Sequence, residues 1–416
     1  MIVWSHGDLL TADAEALVNA VNTVGVMGKG IALQFKHAHP ANYAAYRAAC
    51  AAGDVRLGRM FVVDSGRVGR HRYVINFPTK GHWRASSKLP DIQSGLYDLV
   101  RVIRQRQIRS VAVPALGCGA GGLDWAVVEP MIVEAFAELP DVRVLVFPPD
   151  GVPPSYRHLL PVAEKAVAQA AELMRHRAPG ALTAKGERDF ASQLDYEIER
   201  EVRAFLRDAT PEIGFLGEED GVQGTGDMQW VLDPIDGTAN FVHGLPLCAV
   251  SLGLLHADEA VLGVIEAPFL GNRYAAARGN GATVDGKPIR ASGTTRLSDA
   301  IVAIGDYAVG ADAAARNQPR LALTARLAEA VQRVRMVGSA ALDLAWLAEG
   351  RIDATLTLCN YPWDMTGGTA IAREAGAVVV DHDGSAHHPG SSVTFGITPG
   401  LTEQVLALAG EALRGG

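Results

Sequence analysis

The sequence predicts an α/β chain of two domains, on three observations. Residues 1–150 alternate short apolar or β-branched runs with helical patterns, which argues a sheet with helices on its faces. The stretch Phe147-Pro-Pro-Asp-Gly-Val-Pro-Pro154 is a break through which neither helix nor strand continues. A length of 416 residues also exceeds what one core ordinarily serves. The expected domains are 1–150 and 155–416.

Within the first domain, Ala16–Ala20, Tyr73–Phe77, Ser110–Pro114 and Val142–Phe147 read as buried strands. Ile92–Gln107 and Ala126–Glu138 have helical spacing. Glycines concentrate in Gly25-Val-Met-Gly-Lys-Gly30 and Gly117-Cys-Gly-Ala-Gly-Gly122, each after a strand and before a helix. That is where backbone amides cradle phosphates, although a single such loop reads equally well as a tight turn.

After the break, 158–177 is amphipathic and helical, ending before Pro179-Gly180. Helical spacing resumes after Asp195, and Gly217-Glu218-Glu219-Asp220 follows the apolar Phe215-Leu216. Trp230-Val-Leu-Asp-Pro-Ile-Asp-Gly-Thr238 then carries Asp233 and Asp236 at the end of a strand-like run, with a helix start at Gly237-Thr238. Such a strand end aims both acids at one point, and the helix start offers N–H groups to an anion. Hard oxygen ligands beside an anion hole suit Mg²⁺-assisted phosphoryl hydrolysis. Downstream, Gly338-Ser-Ala-Ala341 precedes an apolar helix, and Pro362-Trp363-Asp364 opens the helical run 365–374.

Hydrophobic residues at 48% suffice for real cores, and charged residues at 20% argue against disorder. The net charge of −8 hides a split: residues 1–150 stand at +3 and the remainder at −11. A mildly basic first half suits an anionic ligand and an acidic second half suits metal ions, while neither demands nucleic acid. Cys50, Cys118, Cys248 and Cys359 form no CxxC pair, against both structural zinc and a disulfide framework. No basic-then-apolar leader opens the sequence and no apolar run approaches the length of a membrane span, so the expectation is a cytoplasmic protein with no membrane partner.

Several separated segments of the first half agree in order with one family. Gly7-Asp8, Val18-Asn-Ala-Val-Asn22, the first glycine loop, Asn76-Phe-Pro-Thr-Lys-Gly-His-Trp-Arg84 and Leu116–Trp125 resemble a macro domain, the ADP-ribose-binding α/β/α module. They are most similar to the branch of antitoxin glycohydrolases that strip ADP-ribose from DNA bases. The resemblance implies that Asp8 accepts from the adenine amino group and that Asn22 lies by the distal ribose. It places the loops with Gly28, Gly30, Gly117, Gly119 and Gly121 around the diphosphate, and Lys80 at the catalytic lysine. A lysine there could attack the anomeric carbon or stabilise charge as the base leaves. Binding alone does not require it. A related branch pairs its lysine with an aspartate where this chain has Gly121, and Asp124 is the nearby acid in sequence.

The second half, 155–416, resembles the inositol monophosphatase family. An Asp-bearing helix, the Gly-Glu-Glu loop, Asp-Pro-Ile-Asp-Gly-Thr, Gly-Ser-Ala-Ala and Trp-Asp follow one another in that family's order. The resemblance implies an αβαβα layered sandwich, a homodimer, and two or three Mg²⁺ ions acting on a small phosphate monoester. Glu219 and Asp233, with the Ile235 carbonyl, would ligate the first ion. Asp233 would bridge to a second ion held by Asp236 and Asp364. Gly237 and Thr238 amides would hold the phosphate, and Asp195 with the Thr238 hydroxyl would orient and activate a water. Carboxylates clustered this way also need cations to stay ionised together. Many members place a glutamate seven residues before the Trp-Asp aspartate, where this chain has Thr357. Inositol monophosphate is the default substrate, with histidinol phosphate, a sugar phosphate or a nucleotide 3′-phosphate as alternatives. The macro domain would engage ADP-ribose or ADP-ribosylated nucleic acid or protein, cleaving it or only docking the phosphatase there.

Overall fold

The run Ala16–Asn22 is buried everywhere except at Ala20, as an apolar strand covered on both faces must be. It lies inside a six-stranded sheet ordered Ile2–Trp4, Arg143–Phe147, Ser110–Pro114, Ala16–Asn22, Tyr73–Lys80 and Phe61–Asp64. All neighbours are parallel but the last pair. Successive side chains of one strand serve opposite faces. Val18, Ile75 and Val113 meet the helices Leu89–Arg106 and Trp125–Ala137, while Leu17, Val74 and Ala112 pack with Phe35 of the helix Gly30–Ala38. The α/β/α layering follows from that alternation.

The computed structural model describes residues 2–414 apart from 6, 67, 150, 152–154, 187–188 and 225. Part of the proline-rich break thus lies outside the described residues. The chain forms two units, Met1–Pro154 and Ser155–Gly416. Two strands run further than their apolar patterning suggests, to Asn22 and to Lys80, because polar residues continue the parallel ladder there. The helix expected to reach Gln107 ends at Arg106, where Gln107 turns left-handed at φ 54°.

In the second unit, an eight-stranded sheet contains Met228–Asp236, Ala249–His256 and Glu259–Ala267 as central antiparallel neighbours. Helices Leu160–His176 and Gln193–Ala209 cover its outer face through Ala166, Val167, Ile198 and Val202. A five-stranded sheet, ordered Arg333–Arg335, Ile301–Ile304, Ala354–Thr357, Thr394–Ile397 and Val378–Val380, forms a second layer. Helices Ala340–Glu349 and Pro362–Glu374 pack with residues of both sheets. Ala313–Ala330 and Thr402–Arg414 close the far side around Leu323, Leu327 and Val405. This is the αβαβα sandwich. Among the described residues no helix is long and apolar enough to cross a membrane.

Glycine decides how closely the Pro362–Glu374 helix lies on the large sheet. Gly253 and Gly263 face each other across neighbouring strands. A methyl added at Gly263 would stand 2.0 Å from the Gly367 carbonyl oxygen, and one at Gly253 would stand 2.7 Å from the Gly367 nitrogen. At Gly263 backbone meets backbone, with no side chain able to yield, while at Gly253 the Thr366 methyl stands nearer still, at 2.5 Å. Gly263→Ala is expected to destabilise the second unit by about 3 kcal/mol or more through overpacking, read as a lower denaturation midpoint. A midpoint equal to that of the parent chain would show that the contact is looser than the geometry says.

Candidate active sites

The first site sits at the C-terminal ends of the Ala16–Asn22 and Tyr73–Lys80 strands. A cleft of about 960 Å³ is lined by Asp8, Asn22, the Gly28–Gly30 turn, Lys80, Trp83 and the second glycine loop. The pairing slips between Val21 and Asn22, so Asn22 stands opposite Lys80 instead of Thr79. Such an irregularity re-aims a strand's last side chain. The Lys80 ammonium donates to the Ala120 carbonyl at 2.7 Å. Burial, and then repulsion from Lys29, lowers its pKa. Both favour the neutral amine that a nucleophile or base requires.

Asn22 borders the cleft, but its polar atoms organise the first loop. Its Oδ1 accepts from Val24 and Val26 amides at 3.0 and 3.3 Å, and its Nδ2 donates to the Val26 carbonyl at 2.6 Å. Asp8 Oδ1 accepts from the Leu10 amide at 2.9 Å while the residue borders the cleft. Gly117, at φ 75°, and Gly119 shape the opposite loop. At Gly121 any side chain is blocked: a methyl would lie 2.3 Å from Ser87 Oγ and 2.4 Å from the Gly117 carbonyl oxygen. An aspartate there is sterically impossible without moving the loop. Asp124 does not substitute, since it caps the Trp125–Ala137 helix by accepting from Ala126 at 3.0 Å and does not line the cleft. Among the described residues lining the cleft, Asp8 is the only acid. Trp83, 44% exposed on the cleft wall under the Arg84 guanidinium, is a contact surface that the sequence reading left unassigned.

The second site is assembled around the end of Met228–Asp236, where the ladder to Ala249–His256 is irregular between Asp233 and Asp236. Asp233 Oδ1 accepts from the Ile235 amide at 3.1 Å. Asp236 instead faces the start of the Ala340–Glu349 helix, accepting from Ser339 Oγ and from the amides of Ala341 and Ala340 at 2.8 and 3.2 Å. That is why Gly-Ser-Ala-Ala matters: its helix start stabilises a buried negative charge. Gly237, at φ 86°, passes so near the Leu247 and Gly338 carbonyls that a methyl would stand 2.9 and 3.0 Å from them. The helix after it is only Thr238–Val242. The Thr238 hydroxyl lies between the Ile235 carbonyl at 2.9 Å and Asp195 Oδ1 at 3.3 Å.

Asp195 and Asp364 occupy the same local device on two helices. Each is the third residue of its helix and reaches back to the preceding backbone, Asp195 to Ser192 at 2.9 Å and Asp364 to Tyr361 at 2.7 Å. The capping bond fixes the carboxyl's position as well as the helix start. The two acids of the Gly-Glu-Glu turn are placed differently. Glu219 has a fully buried side chain turned to Lys185 at 2.6 Å. Its neighbour Glu218 is the carboxylate whose charge reaches Asp233, Asp236 and Asp364. The sequence missed Glu199 as well. This buried residue accepts from the Glu219 and Asp220 amides at 2.8 and 2.9 Å and thereby fixes the acidic turn.

Burial first, and mutual repulsion second, raise these carboxyls. Asp364 is pushed up to about 8, Glu219 to about 7 and Asp195 to about 6. Asp236 reaches only about 6 because Ser339 and two amides oppose the burial. Asp233 stands well above the usual carboxylate range, with Glu218, Asp236 and Asp364 around it. The acids do not meet at one point as the strand-end reading expects. Among the described residues no three acidic, His or Cys side chains enclose an ion as they stand. Glu218 and Glu219 turn instead to the Lys185 ammonium at 2.7 and 2.6 Å. Hard, charge-starved oxygens with a lysine standing in as counter-charge fit a divalent cation in chemistry.

These shifts set a sign. A carboxyl raised above its unfolded pKa adds stability at low pH that disappears as pH rises through the folded value. The second unit is expected to melt progressively lower from about pH 5 to about pH 8, and Mg²⁺ is expected to restore it, most strongly at the upper end. A melting temperature indifferent to Mg²⁺ at the alkaline end would remove the cation from this site.

Known proteins share both architectures. The inositol monophosphatase family model matches residues 155–413 and the macro domain model matches 18–132. Inositol-1-monophosphatase ImpA of Mycolicibacterium smegmatis is 37% identical over 234 residues, 56% of this chain and 84% of that protein. The solved Thermotoga maritima IMPase superposes with a TM-score of 0.57 at 29% identity, covering 62% of this chain and 98% of its own. A DNA ADP-ribosyl glycohydrolase of Mycobacterium tuberculosis is 60% identical over 151 residues, 36% of this chain. The chain spans 43% of that glycohydrolase's length. With the layered sandwich, the ordered acidic motifs and these matches together, the chain belongs to the inositol monophosphatase family and carries a macro domain ahead of it.

Proposed function

We propose that the second unit is a Mg²⁺-dependent phosphatase of small phosphate monoesters, with inositol monophosphate as its default substrate. The observation that carries this reading is that Asp233, Asp236, Asp364 and Glu218 lie near enough to act on one another's charge, with the Thr238 hydroxyl donating to Asp195. Those four carboxylates, with the Ile235 carbonyl, would hold the cations. When bound, the ions supply Lewis-acid charge that acidifies water and steadies a departing alkoxide. Thr238 Oγ orients the attacking water between itself and Asp195. The Asp195 carboxylate, held by Ser192, accepts the water's proton. The Gly237 and Thr238 amides receive the phosphate oxygens. Glu219 keeps Lys185 beside the cluster and has no assigned contact with substrate.

For the first unit we propose ADP-ribose binding in the cleft and cleavage of ADP-ribosyl linkages by Lys80. Its depressed pKa and bulge-directed placement favour cleavage over simple docking. A phosphate-release screen with and without Mg²⁺ over inositol, sugar, histidinol and nucleotide 3′-monophosphates tests the first reading. Release from none of them in Mg²⁺ would reject it. A homodimer through the phosphatase unit and a cytoplasmic location accompany the family reading, and sedimentation tests the former.

A further inference from the structure

Asp8 borders the cleft of the first unit from the start of a single 3-10 turn, Leu9–Thr11. One such turn is too short to fix its own position. Its local bonds give it shape: the Asp8 carbonyl accepts from the Thr11 amide and hydroxyl at 2.9 and 2.8 Å, and the Leu9 carbonyl accepts from Ala12 at 3.1 Å. They do not set where the turn lies over the cleft. Leu9 supplies one anchor, buried in a cluster with Leu17, Phe35 and Val74.

The other anchor comes from Arg70 and His71, in the connection between the strands Phe61–Asp64 and Tyr73–Lys80. Arg70 Nε donates to the Ala12 carbonyl at 3.2 Å, and Arg70 Nη2 donates to the Thr11 carbonyl. These carbonyls end the turn and have no partner within it, and a guanidinium's fork suits two adjacent acceptors. His71 Nε2 bonds the same Ala12 carbonyl at 2.7 Å, and the His71 amide donates to the Ala14 carbonyl at 2.9 Å. A carbonyl can only accept, so that ring nitrogen carries the proton. The clamp is itself held. Ser65 Oγ donates to the His71 carbonyl at 3.1 Å, and the His71 ring meets His39 edge-on at 6.4 Å, which in turn stacks on Phe35 at 5.6 Å. His71 adopts φ 57°, a left-handed backbone that a residue other than glycine keeps only where its surroundings enforce it.

We infer that Arg70 and His71 are positioning residues for base recognition: by clamping the Thr11 and Ala12 carbonyls they hold Asp8 within hydrogen-bond reach of an adenine 6-amino group. This rests on the ADP-ribose reading above. Neither is among the described residues lining the cleft, so both act through the turn. The bond from Leu10 commits Asp8 Oδ1, so Oδ2 is the oxygen presented to a ligand. A hydrogen bond weakens steeply once its angle and distance drift. A loosened turn therefore loses its preference for the amino group before the domain loses its fold.

The test is calorimetry on the full chain with two ligands, ADP-ribose and the analogue in which hydrogen replaces the adenine 6-amino group. The parent is expected to bind ADP-ribose about tenfold or more tightly than the analogue, the worth of one hydrogen bond to a charged group. Arg70→Ala/His71→Gly, which leaves the left-handed backbone available at 71, should weaken ADP-ribose about tenfold and the analogue about twofold or less. Arg70→Lys can still reach one carbonyl and should keep part of the preference. Asp8→Ala should erase the preference outright, and adding the two clamp changes to it should cost ADP-ribose about nothing more. Retained binding of the analogue shows that the variant's cleft is folded. Equal weakening of both ligands would make the pair merely structural and overturns the inference, as does a preference that survives the double change. A parent that binds neither ligand rejects the ADP-ribose reading and the inference with it, whereas a parent that binds both equally rejects only the role of Asp8 and its clamp.

Discussion

Asp233→Asn is expected to lower Mg²⁺-dependent phosphate release by about three orders of magnitude or more. The residue is buried at the irregular end of its strand, with Glu218, Asp236 and Asp364 all acting on it. Asparagine keeps the shape and the bond to the Ile235 amide, yet removes the charge that a bridging ligand needs. The same change should have the opposite effect on the chain without divalent ions. An uncharged amide in place of this buried carboxyl removes the cost of ionising it among its acidic neighbours, so the variant should melt higher than the parent near pH 8 in EDTA and gain little from Mg²⁺. A poor phosphatase that is more stable in EDTA is hard to obtain from simple misfolding. Parental turnover at saturating Mg²⁺ would overturn the ligand assignment.

Lys80→Ala is expected to abolish cleavage of ADP-ribosyl linkages, a loss of about two to four orders of magnitude, while changing ADP-ribose affinity about threefold or less. The split arises because the cleft wall is mostly backbone and apolar surface, with Lys80 one residue among many. Neither of the two positions considered for a partner acid can take over the chemistry, since Gly121 has no room for a side chain and Asp124 is committed to its helix cap. Calorimetry with ADP-ribose beside a gel assay on ADP-ribosylated DNA separates the two effects. Cleavage at the parental rate would return Lys80 to a phosphate-pairing or structural role.

Strand interiors such as Ser110–Pro114 were legible because an unbroken apolar run can only be buried. Strand ends were less so: Asn22 and Lys80 are polar, yet they extend the ladder that supplies the cleft, past Thr79, which the register skips. Asp195 and Asp364 stood out through their motifs, although their third position in each helix did not. Choosing between Glu218 and Glu219 needed coordinates, because adjacent acids after a strand point to different sides and their order does not say which faces inward. Glu199 resembles any charged residue on an amphipathic helix until its two backbone partners are seen.

The glycine contact beneath the Pro362–Glu374 helix has a mechanical meaning for Asp364. Side chains between a helix and a sheet act as compliant spacers, since rotamers can change and the layers then slide. Where main chain rests on main chain at Gly253, Gly263 and Gly367, that compliance is missing. Asp364 stands one turn ahead of this fixed point, on the same rod, while Asp233 belongs to the strand beside Gly253. The separation of these two carboxylates is therefore a property of the backbone lattice. Variation in which substrate is taken falls to the softer loops around the rigid pair, where a sequence can change without disturbing the spacing of the acids.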